Sequence, residues 1–213
     1  MKTLISLYIE RFDWFLELTL QHLLLSGTAI IIATVIGLSL GIIISEYKEA
    51  AKFVLGFCNL VYTIPAISLL GFLLPLSGIG NITAVIALTV YGLLPMIRNT
   101  YTGIVNIEGE VIEAAKGMGC TPWQMIYKIK LPQALIVILA GFRNMVVMTI
   151  ALAGIASYIG AGGLGIAIYR GITTNNQGIT VAGSLLIALL AISLDAGIGA
   201  FEKHIKKKRR LLL

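Results

Sequence analysis

The segment EAAKGMGCTPWQMIYKIKLP, residues 113–132, is polar and carries four charges in a chain that is otherwise strongly apolar. The first half of this segment, together with the residues just before it, predicts a short helix, because glutamates near a helix start suit the helix dipole. These glutamates are Glu108, Glu110 and Glu113. Gly119 is placed to end this helix and is expected to adopt a positive φ in the turn that follows.

A second short helix is predicted directly after this turn. Thr121 can cap it, with Pro122 at its first position and Gln124 at its third, which is the capping-box arrangement. The helix is expected to stop before Pro132. Four of its large side chains are expected to be exposed together: Trp123, Met125, Ile126 and Tyr127. A solvated connector would not need them, so the two helices favour docking into a partner protein.

The composition on either side of this segment is that of a membrane protein. Only 12% of the 213 residues are charged and 58% are hydrophobic, whereas a soluble domain carries about 25% charged residues. Residues 22–45 and 53–97 contain no Asp, Glu, Lys or Arg, and a bilayer span needs about 20 apolar residues. The sequence therefore predicts an all-α integral membrane protein with five spans. They are expected at Leu23–Ser45, Phe53–Leu76, Ile79–Ile97, Pro132–Ser157 and Ile179–Ala200.

The distribution of Lys and Arg orients these spans, because cytoplasmic loops carry an excess of both. The C-terminal stretch EKHIKKKRR, residues 202–210, is strongly basic, and further Lys and Arg lie in the loop that holds residues 113–132. We therefore place this loop and the C-terminus in the cytoplasm and the N-terminus outside. This asymmetry also accounts for the net charge of +6 without a nucleic-acid partner.

The N-terminal 21 residues are amphipathic. Ser6, Glu10, Asp13 and Glu17 follow one another at steps of four, three and four, which places them on one helical stripe. A helix lying in the outer membrane interface is predicted, with Trp14 as its anchor. The alternative is a frayed start of the first span. The three acidic residues would interrupt the apolar region of a cleavable signal peptide, so none is expected.

Seven positions of the polar segment resemble the EAA loop of binding-protein-dependent ABC importer permeases. They are Glu113, Ala114, Ala115, Gly119, Ile129, Leu131 and Pro132. The resemblance implies a coupling helix seated in a groove of a cytoplasmic ATPase. Closure of the ATPase dimer would move this helix and switch the permease between inward- and outward-facing states. It also implies a location in a prokaryotic plasma (inner) membrane.

The resemblance extends over roughly residues 20–200 and is similar to the osmoprotectant branch of the family. Three motifs carry it: YTIPAISLLGFLLPLSGIG (Tyr62–Gly80), YGLLPMIRNTYTGI (Tyr91–Ile104) and SYIGAGGLG (Ser157–Gly165). Members of this branch take up glycine betaine, carnitine or choline. The chain departs from the branch pattern at Ile136, where members often have a second Pro, and at Asn144 and Met145, where they tend to have small residues.

The resemblance implies a transport subunit rather than an enzyme. The sequence has no phosphate-binding Gly-Lys loop, no nucleophile–base pair and no metal-ligand cluster. ATP is therefore expected to be bound and hydrolysed by a partner ATPase dimer, with no cofactor on this chain. The other implied partners are a second permease subunit, identical or paralogous, an extracytoplasmic substrate-binding protein and membrane lipid.

The predicted spans contain several candidates for a translocation path. Arg143 and Asp195 are ionisable residues inside spans, which mark functional sites in transporters unless they only tie helices together. The two could also pair. Breaks or bends are expected at Pro65, Pro75 and Pro95, where freed carbonyls can face a cavity.

Aromatic residues complete the candidates for the path. Tyr62, Tyr91 and Tyr101 could contact a quaternary ammonium through a cation–π interaction, and the alternative is belt or core packing. The predicted path residues are Tyr62, Pro65, Tyr91, Pro95, Arg143 and Asp195.

Two glycine patterns predict close packing. The stretch GAGGLG, residues 160–165, fits the spacing of a dinucleotide-binding loop, but it follows a span rather than a strand. We interpret it as a tight turn or close backbone packing at the outer face. Gly37 and Gly41 form a GxxxG pair, which predicts close contact between helices.

These observations predict three segments: an interfacial amphipathic segment over residues 1–21, a permease domain over 22–202 and a basic cytoplasmic tail over 203–213. The predicted function is the permease subunit of an ATP-driven importer for a small quaternary-amine osmoprotectant. The alternatives are a permease for another small solute such as methionine, an ATP-independent channel or facilitator, and a non-transporting membrane subunit.

Overall fold

The computed structural model describes the backbone of residues 4–210 and the side chains of residues 4–207. Parts of the predicted N-terminal segment and basic tail therefore lie outside the described residues. Every regular element in the described part is helical, which confirms the all-α prediction. The α-helices are α1 (Leu4–Glu10), α2 (Phe12–Glu46), α3 (Lys48–Thr63), α4 (Ala66–Ser77), α5 (Asn81–Val105), α6 (Gly109–Gly117), α7 (Pro122–Gln124), α8 (Leu131–Ala153), α9 (Gly165–Thr173) and α10 (Gln177–Arg210). A π-helical segment, Met125–Lys130, joins α7 to α8, and a 3-10 helix, Ile155–Ile159, follows α8.

Four stretches are long and apolar enough to cross a bilayer: Phe12–Glu46, Asn81–Val105, Pro122–Ala153 and Gln177–Lys207. A fifth crossing results if α3 and α4 together form one span, and these two helices are bent by 101° at a short break. The predicted total of five spans therefore requires the bent α3–α4 pair to count as one crossing. The predicted second span is not one continuous helix.

The bend between α3 and α4 lies at Pro65. A proline disfavours the helical region for the residue before it, and Ile64 is extended, with φ −68° and ψ 127°. The break expected at Pro65 is therefore confirmed. The chain is not broken at the other two prolines, because Pro75 lies inside α4 and Pro95 lies inside α5.

The core forms where α2 packs on α5 and α5 packs on α8. Gly37 and Gly41 of α2 face Met96 and Thr100 of α5, and a Cβ at Gly37 would lie 2.7 Å from the Met96 Cβ. The close helix contact predicted from the GxxxG pair is confirmed. Small residues also line the second contact, where Gly103 of α5 faces Ala134 of α8.

The N-terminal amphipathic stripe is divided between two helices rather than carried by one. The chain breaks at Arg11, and α2 then begins at Phe12, well before the predicted start of the first span at Leu23. Phe15 and Leu18 are buried in the core, which fixes these first turns as part of α2. The Tyr8 hydroxyl donates a hydrogen bond of 2.8 Å to the Ala182 carbonyl and so holds α1 against α10. The interfacial location of this segment stays a prediction.

Candidate functional site

The turn between α6 and α7 has the glycine geometry that the sequence predicts. Gly119 has a φ of +77°, and its N–H donates to the Lys116 carbonyl over 2.9 Å. The next N–H, of Cys120, donates to the Ala115 carbonyl over 3.2 Å. Together these bonds form a Schellman motif, which requires a left-handed residue at the position of Gly119.

The capping box at the start of the second helix is also present. The Thr121 hydroxyl accepts the Gln124 N–H at 3.3 Å, and the Gln124 side-chain oxygen accepts the Thr121 N–H at 2.9 Å. Pro122 occupies the first helical turn, as predicted. Both halves of the turn are therefore fixed by local hydrogen bonds.

The prediction that this second helix stops before Pro132 is wrong. The helix passes through the π-helical segment directly into α8, so Pro122–Ala153 forms one long stretch. Proline clashes with the carbonyl four residues earlier in a regular α-helix. The wider π-turn, marked by the bond from the Leu131 N–H to the Ile126 carbonyl, makes room for the ring. The short helix is therefore continuous with α8.

An apolar cluster lies on the solvent-exposed surface of this segment. It consists of Met118, Trp123 and Tyr127, which are 74%, 69% and 63% exposed. The two aromatic rings are stacked, with centroids 5.9 Å apart and planes at 13°. Exposure of Trp123 and Tyr127 is as predicted, but Met125 is buried and Ile126 is half-buried, so the four side chains are not exposed together.

The seven EAA positions differ in burial. Glu113, Ala114 and Gly119 are exposed, whereas Ala115 is buried. The other three, Ile129, Leu131 and Pro132, are half-buried. The roles assigned to them stay predictions. We call the surface formed by Glu113, Ala114, Met118, Gly119, Trp123 and Tyr127 the coupling surface.

An ion pair links this segment to a second long helix. The Lys130 ammonium of the π-helical segment contacts the Glu46 carboxylate at the C-terminal end of α2. The Lys130 side chain is largely shielded from solvent. The segment is thus joined to α8 through the backbone and to α2 through a charge pair.

Three of the predicted path residues lie together at the bend between α3 and α4. The Tyr62 and Tyr91 rings meet edge to face, with centroids 5.7 Å apart. The Tyr91 hydroxyl donates to the carbonyl of Ile64, next to Pro65, and Tyr91 is buried. Tyr62 is 43% exposed, and its hydroxyl lies 3.0 Å from the Met148 sulfur. Tyr62 is therefore the more exposed member of this pair.

Two other candidates, one proline and one tyrosine, lie away from this cluster. The Pro95 carbonyl accepts a hydrogen bond of 2.8 Å from the Asn99 side chain, within α5. Tyr101 packs against Ile44, Ala51 and other apolar residues at the junction of α2, α3 and α5. The packing interpretation therefore fits Tyr101.

Arg143 and Asp195 form an ion pair between α8 and α10. The guanidinium donates from Nε and Nη2 to the two carboxylate oxygens, each at 2.5 Å. A second carboxylate, of Glu202, lies 3.8 Å from Arg143 and pairs with Lys206 at 2.5 Å. Gly199 allows this approach, because a Cβ there would lie 3.1 Å from the guanidinium carbon. The possible pairing of the two residues is thus confirmed.

The sequence analysis did not identify Glu202 as a neighbour of Arg143, because Glu202 lies next to the basic tail in the sequence. The available signal was spacing, since Asp195, Gly199, Glu202 and Lys206 follow one another at steps of four, three and four. One face of α10 therefore carries the partners of Arg143. With two carboxylates beside it, Arg143 does not offer a free cation.

The glycine-rich turn packs against two side chains that the sequence did not single out. The Gly162 N–H donates to Asn81 over 2.8 Å, and the Gly163 N–H donates to Gln21 over 3.2 Å. Gly163 has a φ of +102° and lies against His22. The interpretation of residues 160–165 as a tightly packed turn is confirmed. Within the described residues there is no cluster of His, Cys, Asp and Glu able to hold a metal ion.

The chain is similar in sequence to known membrane transport proteins. The family model described as "Binding-protein-dependent transport system inner membrane component" matches residues 17–207. The carnitine transport permease protein OpuCD of Listeria monocytogenes is 40% identical, and the match covers 100% of this chain and 97% of that protein. The glycine betaine/carnitine/choline transport system permease protein OpuCD of Bacillus subtilis is 39% identical, with 95% and 90% covered. The osmoprotectant import permease protein OsmW of Salmonella typhimurium is 42% identical, with 88% and 89% covered.

Solved structures share the fold at lower identity. An inward-facing structure of the MetNI methionine ABC transporter aligns with a TM-score of 0.85 and 22% identity, covering 92% of this chain and 98% of that chain. An amino acid ABC transporter solved with histidines aligns with a TM-score of 0.80 and 17% identity, covering 96% and 99%.

Proposed function

The chain belongs to the family of binding-protein-dependent transport system inner membrane components, and from this premise we propose that it is one permease subunit of an ATP-driven importer. It is a multi-pass membrane protein with four or five spans. A second permease subunit, a cytoplasmic ATPase dimer and an outside substrate-binding protein complete the transporter in this proposal. ATP is bound and hydrolysed by the ATPase dimer, so this chain needs no cofactor of its own.

The coupling surface is the observation that carries this proposal. It places a stacked Trp123–Tyr127 pair and Met118 in solvent on a segment with no core of its own. Surface patches of this kind mark protein interfaces, and aromatic residues are enriched at their centres. The continuous helix into α8 and the Lys130–Glu46 pair supply two routes by which movement of the ATPase reaches the spans.

The proposed substrate is a small quaternary amine of the osmoprotectant class: glycine betaine, carnitine or choline. The relatives named above transport such solutes according to their names and cover nearly the whole chain. Tyr62 at the bend between α3 and α4 is the proposed contact for the ammonium, because its ring is accessible and electron-rich. Tyr91 is the residue that positions it, since its own hydroxyl is held by Ile64.

Arg143 has a mechanical role in this proposal. Its guanidinium is held by both oxygens of Asp195, so it has no free fork for the carboxylate of a substrate. The pair joins α8, which receives movement from the coupling surface, to α10. We assign Arg143 and Asp195 to this connection between helices.

Growth at high salt tests the substrate class. In a host that lacks its own osmoprotectant systems, the complete operon is expected to restore growth when glycine betaine, carnitine or choline is supplied. Methionine supplied in the same way is the control and is expected to restore none. The substrate assignment fails if the assembled complex has ATPase activity and none of the three amines rescues growth.

The proposed orientation places the N-terminus outside and the C-terminus in the cytoplasm. Cysteines are introduced singly by Gln177→Cys and Lys207→Cys, both at exposed positions, in a background with Cys58→Ser and Cys120→Ser. On intact cells, a membrane-impermeant maleimide is expected to label position 177 and to leave position 207 unlabelled until the cells are opened. The reverse pattern would contradict this topology.

A further inference from the structure

An open cavity of about 350 Å³ lies where the break between α1 and α2 meets the last turn of α9. Its walls combine basic, acidic and apolar side chains: Ile9, Glu10, Arg11, Phe12, Asp13, Trp14 and Arg170. None of these residues belongs to the coupling surface or to the predicted path. The cavity is therefore separate from the coupling surface and from the predicted path residues.

Two guanidinium groups converge on one indole ring in this cavity. The Arg11 and Arg170 guanidinium carbons lie 5.9 Å and 5.7 Å from the Trp14 ring centroid. Neither arginine forms an ion pair with a carboxylate in the part of the chain that the structure describes. An arginine stacked on an aromatic ring is held in place, and its planar fork of N–H donors suits phosphate.

Apolar side chains border the same cavity on its exposed side. Ile9 and Phe12 line it and are 73% and 62% exposed. Large exposed apolar groups beside a tryptophan are typical of a protein surface at the boundary between headgroups and acyl chains. A ligand in this cavity can therefore present a phosphate to the arginines and a hydrocarbon chain to Ile9 and Phe12.

We propose that this cavity binds the phosphate group of a membrane phospholipid, held between Arg11 and Arg170. The choice between a lipid phosphodiester and free phosphate follows from the acidic part of the wall. The Asp13 carboxylate would repel a dianion more strongly than a singly charged phosphodiester. A bound lipid at this point stabilises α1 and the start of α2 against the end of α9.

Trp14 provides a direct readout, because the chain has only two tryptophans and Trp123→Phe leaves Trp14 as the sole one. The full-length Trp123→Phe protein is purified in a phosphate-free maltoside detergent. Dihexanoylphosphatidylglycerol is then titrated below its critical micelle concentration while Trp14 emission is recorded. Saturable binding is expected. Dihexanoylglycerol, which lacks the phosphate, and inorganic phosphate at equal concentration are expected to bind far more weakly.

The variants decide whether the arginines form the site. The Arg11→Gln, Arg170→Gln double variant is expected to weaken lipid binding by about tenfold or more, as the loss of charge-assisted contacts requires. Lys203→Gln, Lys207→Gln removes the same charge at the far end of the chain and is expected to leave binding unchanged. If the double glutamine variant does not fold, Arg11→Lys and Arg170→Lys keep the charge and lose the planar fork, and each should bind less tightly.

Three results would overturn the proposal. Inorganic phosphate binding as tightly as the lipid would show a free-anion site. Equal binding of the phosphate-free lipid, or of the wild type and the arginine variants, would show adsorption to an apolar surface. If the Arg11→Gln, Arg170→Gln variant loses affinity for the cognate substrate-binding protein while its lipid affinity is unchanged, the cavity is a protein docking site.

Discussion

Replacement of Gly119 by aspartate is expected to abolish ATP-driven uptake while the chain remains inserted in the membrane. At a φ of +77°, a residue with a side chain costs about 1 kcal/mol or more. No atom lies within 4 Å of a Cβ at this position, so the cost comes from the backbone rather than from a clash. Relaxation of the turn would reorient the Trp123–Tyr127 pair, and the new carboxylate would lie on the coupling surface.

Two matched variants separate these causes. Gly117→Asp adds the same charge two residues earlier, at an open helical position without a positive φ. Gly119→Asn has the same shape as Gly119→Asp and a similar tolerance of the left-handed conformation, but it adds no charge, so this comparison isolates the effect of the carboxylate. Uptake is expected to fall least in Gly119→Asn and most in Gly119→Asp. The measurement is the ratio of ATPase to permease in the purified complex, together with the ATPase rate. A normal ratio and rate in Gly119→Asp would mean that the segment is only a connector.

The second large effect is expected at the Arg143–Asp195 pair. Asp195→Leu removes the carboxylate that accepts hydrogen bonds from Nε and Nη2 of Arg143. The Arg143 guanidinium, which lies within a span, then has only the Glu202 carboxylate beside it, 3.8 Å away. The Arg143 and Asp195 side chains are 35% and 39% exposed, so the expected effect comes from their position within a span, where an unpaired charge is costly. Removal of both partners is often tolerated. Asp195→Leu and Arg143→Leu are each expected to lower the yield and melting temperature of the complex, and the double variant is expected to recover most of both.

The same pair of variants separates a structural role from a role in the path. The control is Lys52→Leu, which removes an exposed pair with Glu49 and is expected to have little effect. If Arg143 only joins α8 to α10, the double variant should recover uptake along with stability. A double variant that is stable and well folded but transports nothing would place the pair in the translocation path and contradict the assignment made above.

Local chemistry made the coupling segment largely predictable from sequence. The capping box at Thr121 and the glycine turn at Gly119 involve residues within a few positions of one another, so their geometry follows from residue type and spacing. The presence of several long apolar helices was predictable for a similar reason. Long uncharged stretches such as residues 53–97 leave few alternatives in a bilayer.

Features that depend on tertiary packing were less predictable. The predicted end of the helix before Pro132 was wrong, because a π-helical turn continues the helix past the proline. Composition does not reveal such a turn. The contact of Glu202 with Arg143 joins α10 to α8 and depends on how two distant helices lie against each other. Spacing on α10 indicates a common face but not the residue that this face meets.

The central claim is that the coupling surface converts ATP hydrolysis by a partner into movement of solute through this chain. The most direct measurement is glycine betaine uptake by proteoliposomes that contain the purified complex and its binding protein, with ATP or ADP at the ATPase face. Wild-type uptake is expected only with ATP, and the Gly119→Asp complex is expected to show none with either nucleotide. Uptake that proceeds equally with ADP, or that is unchanged in Gly119→Asp, would contradict the account.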